Sequence, residues 1–310
     1  MQAILNAALP IFALILTGFL CGRFGMFAPE ATSSINRFAA YLALPALLFV
    51  AMTRITPDQL GQLGFMVAYL VPIVVIYAAG FVLARLRGLG LAGASLGGLT
   101  ASYSNVGFMG VPLCLLVFGE DGLQPAVVAT LFTACVQFLF AIALIEIEAR
   151  RGRSAWRTAG KVAGSLVANP LCLAPLLGLA IGVSGLSLPV PVERFASLLG
   201  GAATPCALIC IGLFFADQAG TRQDAGAIGA TLALKLLAQP AIAAVLALYV
   251  FDMPPLWAHA AILLSALPIG AGAFTVAQLY MLQTGVTSGA IMMSHVASVA
   301  TLSLLLVWLS

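Results

Sequence analysis

The chain is a succession of apolar runs about twenty residues long, and that feature alone decides its solvent. A helix of that length crosses the roughly 30 Å hydrocarbon core of a bilayer. Ten runs are marked, at 3–20, 36–53, 63–84, 93–118, 123–147, 162–182, 194–215, 227–250, 257–281 and 287–309. They are continuous and do not alternate every second residue, so a strand barrel is excluded. Apolar residues make up 62% of the 310 positions and charged residues 7%. A soluble domain carries roughly a quarter charged residues, so this chain cannot cover itself in water. Its backbone must satisfy its own hydrogen bonds in helices. The expected fold class is an all-α integral membrane protein of ten transmembrane helices, with no separate soluble domain.

The first run, Ala3 to Leu20, lacks a basic leading segment, and Phe19 and Leu20 before Cys21 are too bulky for a lipoprotein cleavage site. It is read as a retained helix. The six Cys at 21, 114, 135, 172, 206 and 210 form no CxxC pair and neighbour no His at ligand spacing. They read as small packing residues.

Basic residues orient the spans. Arg150, Arg151, Arg153, Arg157 and Lys161 lie between runs five and six, with Arg23, Arg37, Arg85, Arg87 and Arg222 on the same side. Only Arg54 and Arg194 fall on the other side, and Lys235 lies inside a span. The ten-to-two bias over the 13 basic residues puts both termini outside. Abundant Ala, and Arg in preference to Lys, point to a bacterial cytoplasmic (inner) membrane.

The two halves echo each other. Pro10, Pro45, Pro72 and Pro112 are followed at offsets of 160, 160, 168 and 156 by Pro170, Pro205, Pro240 and Pro268. Arg37-Phe38-Ala39 and Arg194-Phe195-Ala196 recur at one of these pairs. The expected organisation is a five-helix repeat over 1–150, a basic loop at 151–161, and a second repeat over 162–310. Five is odd, so the second repeat enters the membrane inverted, an arrangement typical of secondary transporters.

Helices 4 and 9 carry the sharpest local signals. Asn105-Val106-Gly107-Phe108-Met109-Gly110-Val111-Pro112 and Pro268-Ile269-Gly270-Ala271-Gly272 each set a proline beside paired glycines near mid-span. Proline removes an N–H and glycine releases the chain from helical geometry. Backbone freed at membrane depth persists only where it lines a cavity or holds a ligand. The half-helices that resume there aim N-terminal N–H groups at the site, which suits an anion. The expected substrate-binding residues are Asn105, Gly107, Gly110, Pro112, Pro268, Gly270 and Gly272.

The Asn-x-Gly-Phe-Met-Gly-x-Pro-Leu stretch, Leu44-Pro45-Ala46-Leu47-Leu48-Phe49, and Ala266-Leu267-Pro268 with Ala277-Gln278-Leu279-Tyr280 resemble the auxin efflux carrier family over essentially the whole chain. The resemblance implies ten helices in a 5+5 inverted repeat, with broken helices 4 and 9 crossing as in bile acid symporters and NhaA. It implies a carrier of small organic anions, auxin in plants and malonate-like carboxylates in bacteria. It adds Gln137 to the substrate site and places Asn105, Pro112 and Pro268 at the crossing. Plant members often carry a long hydrophilic centre, here reduced to a short basic loop, and tend to be polar where this chain has Leu48.

Lys235, the one charge inside a span, and His295 in helix 10 are candidates for charge balance and coupling. No Asp or Glu lies deep in any span, so no carboxylate relay is expected. HExxH, GxSxG and GxxxxGK[ST] are all missing, which argues against an enzyme or a nucleotide-driven pump. No cofactor is expected beyond a coupling ion, H+ or Na+. The expected partners are a small organic anion, lipid and a second copy of the chain, with no nucleic acid. The rival readings are a sodium-coupled symporter of the bile acid type and a membrane sensor without transport.

Overall fold

The computed structural model describes residues 2–54, 62–149, 170–217, 224–282 and 285–309. The basic loop at 151–161, the first residues of the sixth expected span and Arg222 lie outside these. Among the described residues helix is the only regular secondary structure, apart from one isolated bridge between Ser104 and Ile269. The first half comprises α1 (Gln2–Arg23), α2 (Pro29–Phe38), α3 (Leu44–Thr53), α4 (Leu63–Leu86), α5 (Leu91–Ser102), α6 (Val111–Phe118), α7 (Leu123–Leu131) and α8 (Phe138–Ala149). The second comprises α9 (Pro170–Ser184), α10 (Val190–Gly201), α11 (Ala203–Asp217), α12 (Ala225–Ala233), α13 (Gln239–Val245), α14 (Pro255–Ser265), α15 (Gly272–Leu279) and α16 (Gly285–Leu309).

Among the described residues, four helical runs are long and apolar enough to cross a membrane: Glu30–Val50, Leu63–Leu86, Ala225–Val250 and Gly285–Leu309. In α4, Phe65, Tyr69, Ile73, Ile76 and Tyr77 are buried, while Val67, Val71, Val74, Val75 and Val82 are exposed. Both faces of the helix are therefore apolar. An outward face of valines is tolerable only against lipid.

Prolines explain why several of these runs are not uniform α-helix. Wider π turns occupy Ala39–Ala43, Val106–Gly110 and Leu234–Ala238, and each ends two residues before a proline: Pro45, Pro112 or Pro240. The Leu44, Val111 and Gln239 N–H groups donate to the carbonyls of Ala39, Val106 and Leu234. Widening the turn re-pairs backbone that proline, lacking an N–H, disrupts.

Two groups of helices are recognised by their packing. α1 lies along α11, α2 also packs on α11, and α3 packs on α9 and α10. α4, α5, α8 and α12–α16 build most of the larger apolar core, where Phe65 stacks on Tyr69 at 5.9 Å and meets Trp257 edge-on at 5.1 Å. Gly200 abuts the Leu47 backbone, bringing α10 close against α3. At one end Arg54 pairs with Glu193 at 3.1 Å. At the other, the Glu148 carboxylate accepts from the Leu91 and Ala92 N–H groups and caps α5.

The α1–α11 contact is the tightest of these. A Cβ at Gly212 would fall 2.1 Å from the Ile15 carbonyl oxygen, and one at Gly18 would fall 2.2 Å from that of Ile209. Backbone stands against backbone, so no rotamer change relieves the clash. Gly212→Val is expected to destabilise the protein by at least about 1–3 kcal/mol, read as a lowered thermal midpoint in detergent micelles. An unchanged midpoint would contradict this packing.

Candidate functional site

The expected breaks in helices 4 and 9 meet. α5 ends at Ser102, and Tyr103 turns extended, with φ −78° and ψ 104°. The chain resumes at Val106–Gly110 and continues into α6. In the second half α14 ends at Ser265, and α15 begins at Gly272. Across the gap Asn105 N–H donates to the Pro268 carbonyl at 2.9 Å, and Gly270 N–H to that of Tyr103 at 2.9 Å. These two bonds join the breaks as a minimal antiparallel pair, extended by Ile269 N–H donating to Ser294 Oγ at 3.1 Å. Backbone that leaves helical geometry at this depth is thus satisfied by its counterpart.

Both α5 and α14 point their carboxyl ends at this pairing, and those ends carry unsatisfied carbonyls and partial negative charge. One neighbouring helical run serves both. Gln239 Nε2 donates to the Ser102 carbonyl at 3.2 Å, and Lys235 Nζ donates to the Ser265 carbonyl at 2.7 Å. Lys235 Nζ also donates to Ser104 Oγ at 2.9 Å. Its side chain is fully buried, and its terminal nitrogen is held at the paired breaks.

A small cavity of about 40 Å³ opens beside the pair. Its lining includes Ser104, Asn105, Val106 and Gly107 from one break and Gly270, Ala271 and Gly272 from the other, with Leu48, Thr133 and Thr275 around them. The first residues of both resumed half-helices therefore face one space.

Asn105 is oriented by His295. His295 Nδ1 lies 2.8 Å from the Ile291 carbonyl oxygen, which can only accept, so Nδ1 carries a proton. In a neutral ring Nε2 is then an acceptor and takes an N–H from Asn105 Nδ2 at 3.3 Å. The Asn105 Oδ1 atom is left buried and without a partner. Gln137 behaves similarly: its Nε2 donates to Ser102 Oγ at 2.7 Å, while its Oε1 is unpartnered.

The residues expected from sequence do not all gather here. Asn105, Gly107, Gly270 and Gly272 line the cavity, and Pro268 lies in the pairing itself. A Cβ at Gly270 would strike the Tyr103 ring at 2.8 Å, and one at Gly272 its hydroxyl at 2.7 Å, so these glycines make room for that side chain. Gly110 instead packs against Leu264 and Leu267. Pro112 is the second residue of α6, beyond the π turn, and the first break falls upstream of it at 103–105. Gln137 and His295 stand behind the wall, holding Ser102 and Asn105. Sequence reasoning missed Ser102, Ser104 and Gln239. Gln239, an amide within an apolar run and one residue before a proline, carried a signal comparable to that of Gln137.

A helical chain with an apolar exterior and paired helix breaks around a buried lysine defines a polytopic membrane protein with an internal site. The family model described as membrane transport protein matches residues 3–306. The chain belongs to that family, the auxin efflux carriers, and is a membrane transporter. A Rhizobium meliloti protein named as a candidate malonate transporter is 30% identical over 307 residues, covering 99% of this chain and 96% of its own. An uncharacterized transporter of Methanothermobacter thermautotrophicus is 26% identical, covering 96% of each chain. Auxin efflux carrier component 8 of Arabidopsis thaliana is 22% identical over 96% of this chain and 95% of its own.

Lys235→Ala is expected to cost roughly 2–5 kcal/mol, because it strips Ser265 O of its donor and leaves a void. Ser104→Ala, which keeps the Lys235–Ser265 bond, is expected to cost about 1 kcal/mol. Unfolding in detergent micelles gives the order, and a larger loss for Ser104→Ala would contradict the bracing role of Lys235.

Proposed function

We propose that the protein is a secondary carrier of a small organic anion, a carboxylate of the malonate kind. The observation that carries this reading is the cavity between the amino ends of two half-helices, with the Lys235 ammonium one hydrogen bond behind its wall. Helix amino ends favour anions, and the cavity lining includes no acidic residue. The relative from Rhizobium meliloti, named for malonate, supports the choice of carboxylate.

In this reading ten helices form two inverted five-helix repeats, over 1–150 and 162–310, and the broken helices 4 and 9 cross at the site. The reciprocal packing of α1 on α11 and of α3 on α9 supports the repeat, since the first span of each half meets the second span of the other. α1–α3 and α9–α11 act as a scaffold, and the remaining helices carry the site past it in elevator-type alternating access. Both termini lie on the periplasmic side of a bacterial inner membrane, as the basic residues require. The pairing of Arg54 with Glu193 at one end, and of Glu148 with α5 at the other, fits those span directions. A homodimer through the scaffold is the proposed assembly.

One observation favours sodium coupling of the bile acid type. Asn105 Oδ1, Gln137 Oε1 and Gln239 Oε1 are all buried and unpartnered, and amide oxygens are hard-cation ligands. The Lys235 ammonium beside Ser104 opposes a second cation there, so the anion reading stands first.

Charge movement in proteoliposomes tests it, with a panel of mono- and dicarboxylates and indole acetate. A carboxylate current that Asn105→Ala reduces at least about tenfold is expected, as for loss of a hydrogen bond to a charged group. Repeating it without sodium and across a pH step identifies the coupling ion. Carboxylates that evoke neither current nor tracer uptake would overturn the substrate class.

A further inference from the structure

A second cavity of about 270 Å³ lies between the helical run of α2 and the end of α15. Ser33, Asn36, Arg37 and Tyr41 line it from the first side, and Thr275 and Gln278 from the other. Thr275 also lines the central cavity, so the two spaces share a wall residue. The central space, at about 40 Å³, is little more than the roughly 30 Å³ share of one water in the liquid. An anion of several heavy atoms does not fit there until the flanking helices part. The outer space is near the size of small-molecule sites.

Its polar lining is of one kind. Arg37 is exposed, and among the described residues the only ion pair is Arg54 with Glu193, so Arg37 has no carboxylate there. Glu30, two turns earlier on α2, makes no ion pair with it among the described residues. Ser33, Asn36 and Gln278 add neutral donors and acceptors. A guanidinium presents a planar fork that matches a carboxylate with two parallel hydrogen bonds.

We propose that this cleft is an entry subsite for a small dicarboxylate, with Arg37 holding one carboxylate before the ligand passes Thr275 to the paired breaks. The subsite rests on the reading of the protein as an anion carrier and adds a station to it. The charge lies on α2, which packs against α11, and not on the helices that carry the paired breaks, so the ligand is captured at the seam between the two groups of helices. A monocarboxylate, lacking the second charge for the amide and hydroxyl side, is held less well.

Protection of a thiol placed in the cleft tests this with malonate as the probe. Ser33→Cys is alkylated in detergent micelles, and modification at that position is read by peptide mass, apart from the native cysteines. Malonate is expected to slow the alkylation, and acetate to do so only at much higher concentration. Adding Arg37→Gln should raise the protecting malonate concentration at least tenfold, and Arg37→Lys should recover part of it. An unchanged thermal midpoint shows that the variants are folded. Adding Asn105→Ala instead should leave protection as it was. Protection insensitive to Arg37→Gln, or lost with Asn105→Ala, would overturn the subsite, since the thiol would then report on the central site. Protection that depends on Arg37 in a protein that moves no carboxylate would uphold the anion site and overturn only the carrier reading.

Discussion

Two helices of this protein, α5 and α14, stop where the chain leaves helical geometry, and everything around them follows from what that requires. A helix end exposes carbonyls that water would normally satisfy, and at membrane depth there is none to do so. α5 and α14 point their carboxyl ends at each other's break. The demand is met by residues four apart on one neighbouring run, Gln239 on Ser102 and Lys235 on Ser265. Converging helix carboxyl ends call for hydrogen-bond donors, and that accounts for a lysine buried completely, with its terminal nitrogen on a carbonyl and a hydroxyl.

The same breaks have amino ends, and these are left to face the cavity. The backbone pairing of Tyr103 to Asn105 with Pro268 to Gly270 fixes where those ends lie. His295 and Ser102 fix the amides of Asn105 and Gln137 by taking their N–H groups. The consequence is a small, largely apolar-walled space toward which the amino ends of both half-helices turn, with one lysine behind the wall; in the anion-carrier reading these supply a positive bias. Such a bias is built into the fold and needs no charged residue in the lining.

Much of this was legible in the sequence, and the reasons are physical. Long apolar runs can be nothing but membrane helices here, and an Asn beside Gly and Pro at mid-span marks backbone that needs a partner. Lys235 stood out because a charge within an apolar run is costly. The position of the first break was not legible. Pro112 reads as the breaker, yet the π turn of Val106–Gly110 accommodates it, and the chain parts at Tyr103 instead. A π turn costs no characteristic residue, so sequence periodicity does not reveal it. Ser102 and Ser104 were equally silent, since a serine in a membrane helix usually bonds its own backbone. Ser102 Oγ does donate to Gly98 O one turn back, and only the three-dimensional meeting of helical segments brings Gln137 Nε2 to it and Lys235 Nζ to Ser104 Oγ.

The central claim is that the two paired breaks form an anion site. It is tested most directly by locating a heavy-atom carboxylate in crystals of the protein. With bromomalonate, the account predicts anomalous bromine density in the cavity bounded by Ser104–Gly107 and Gly270–Gly272, lost in Asn105→Ala. Density confined to other surfaces, with that cavity unchanged at saturating ligand, would contradict it.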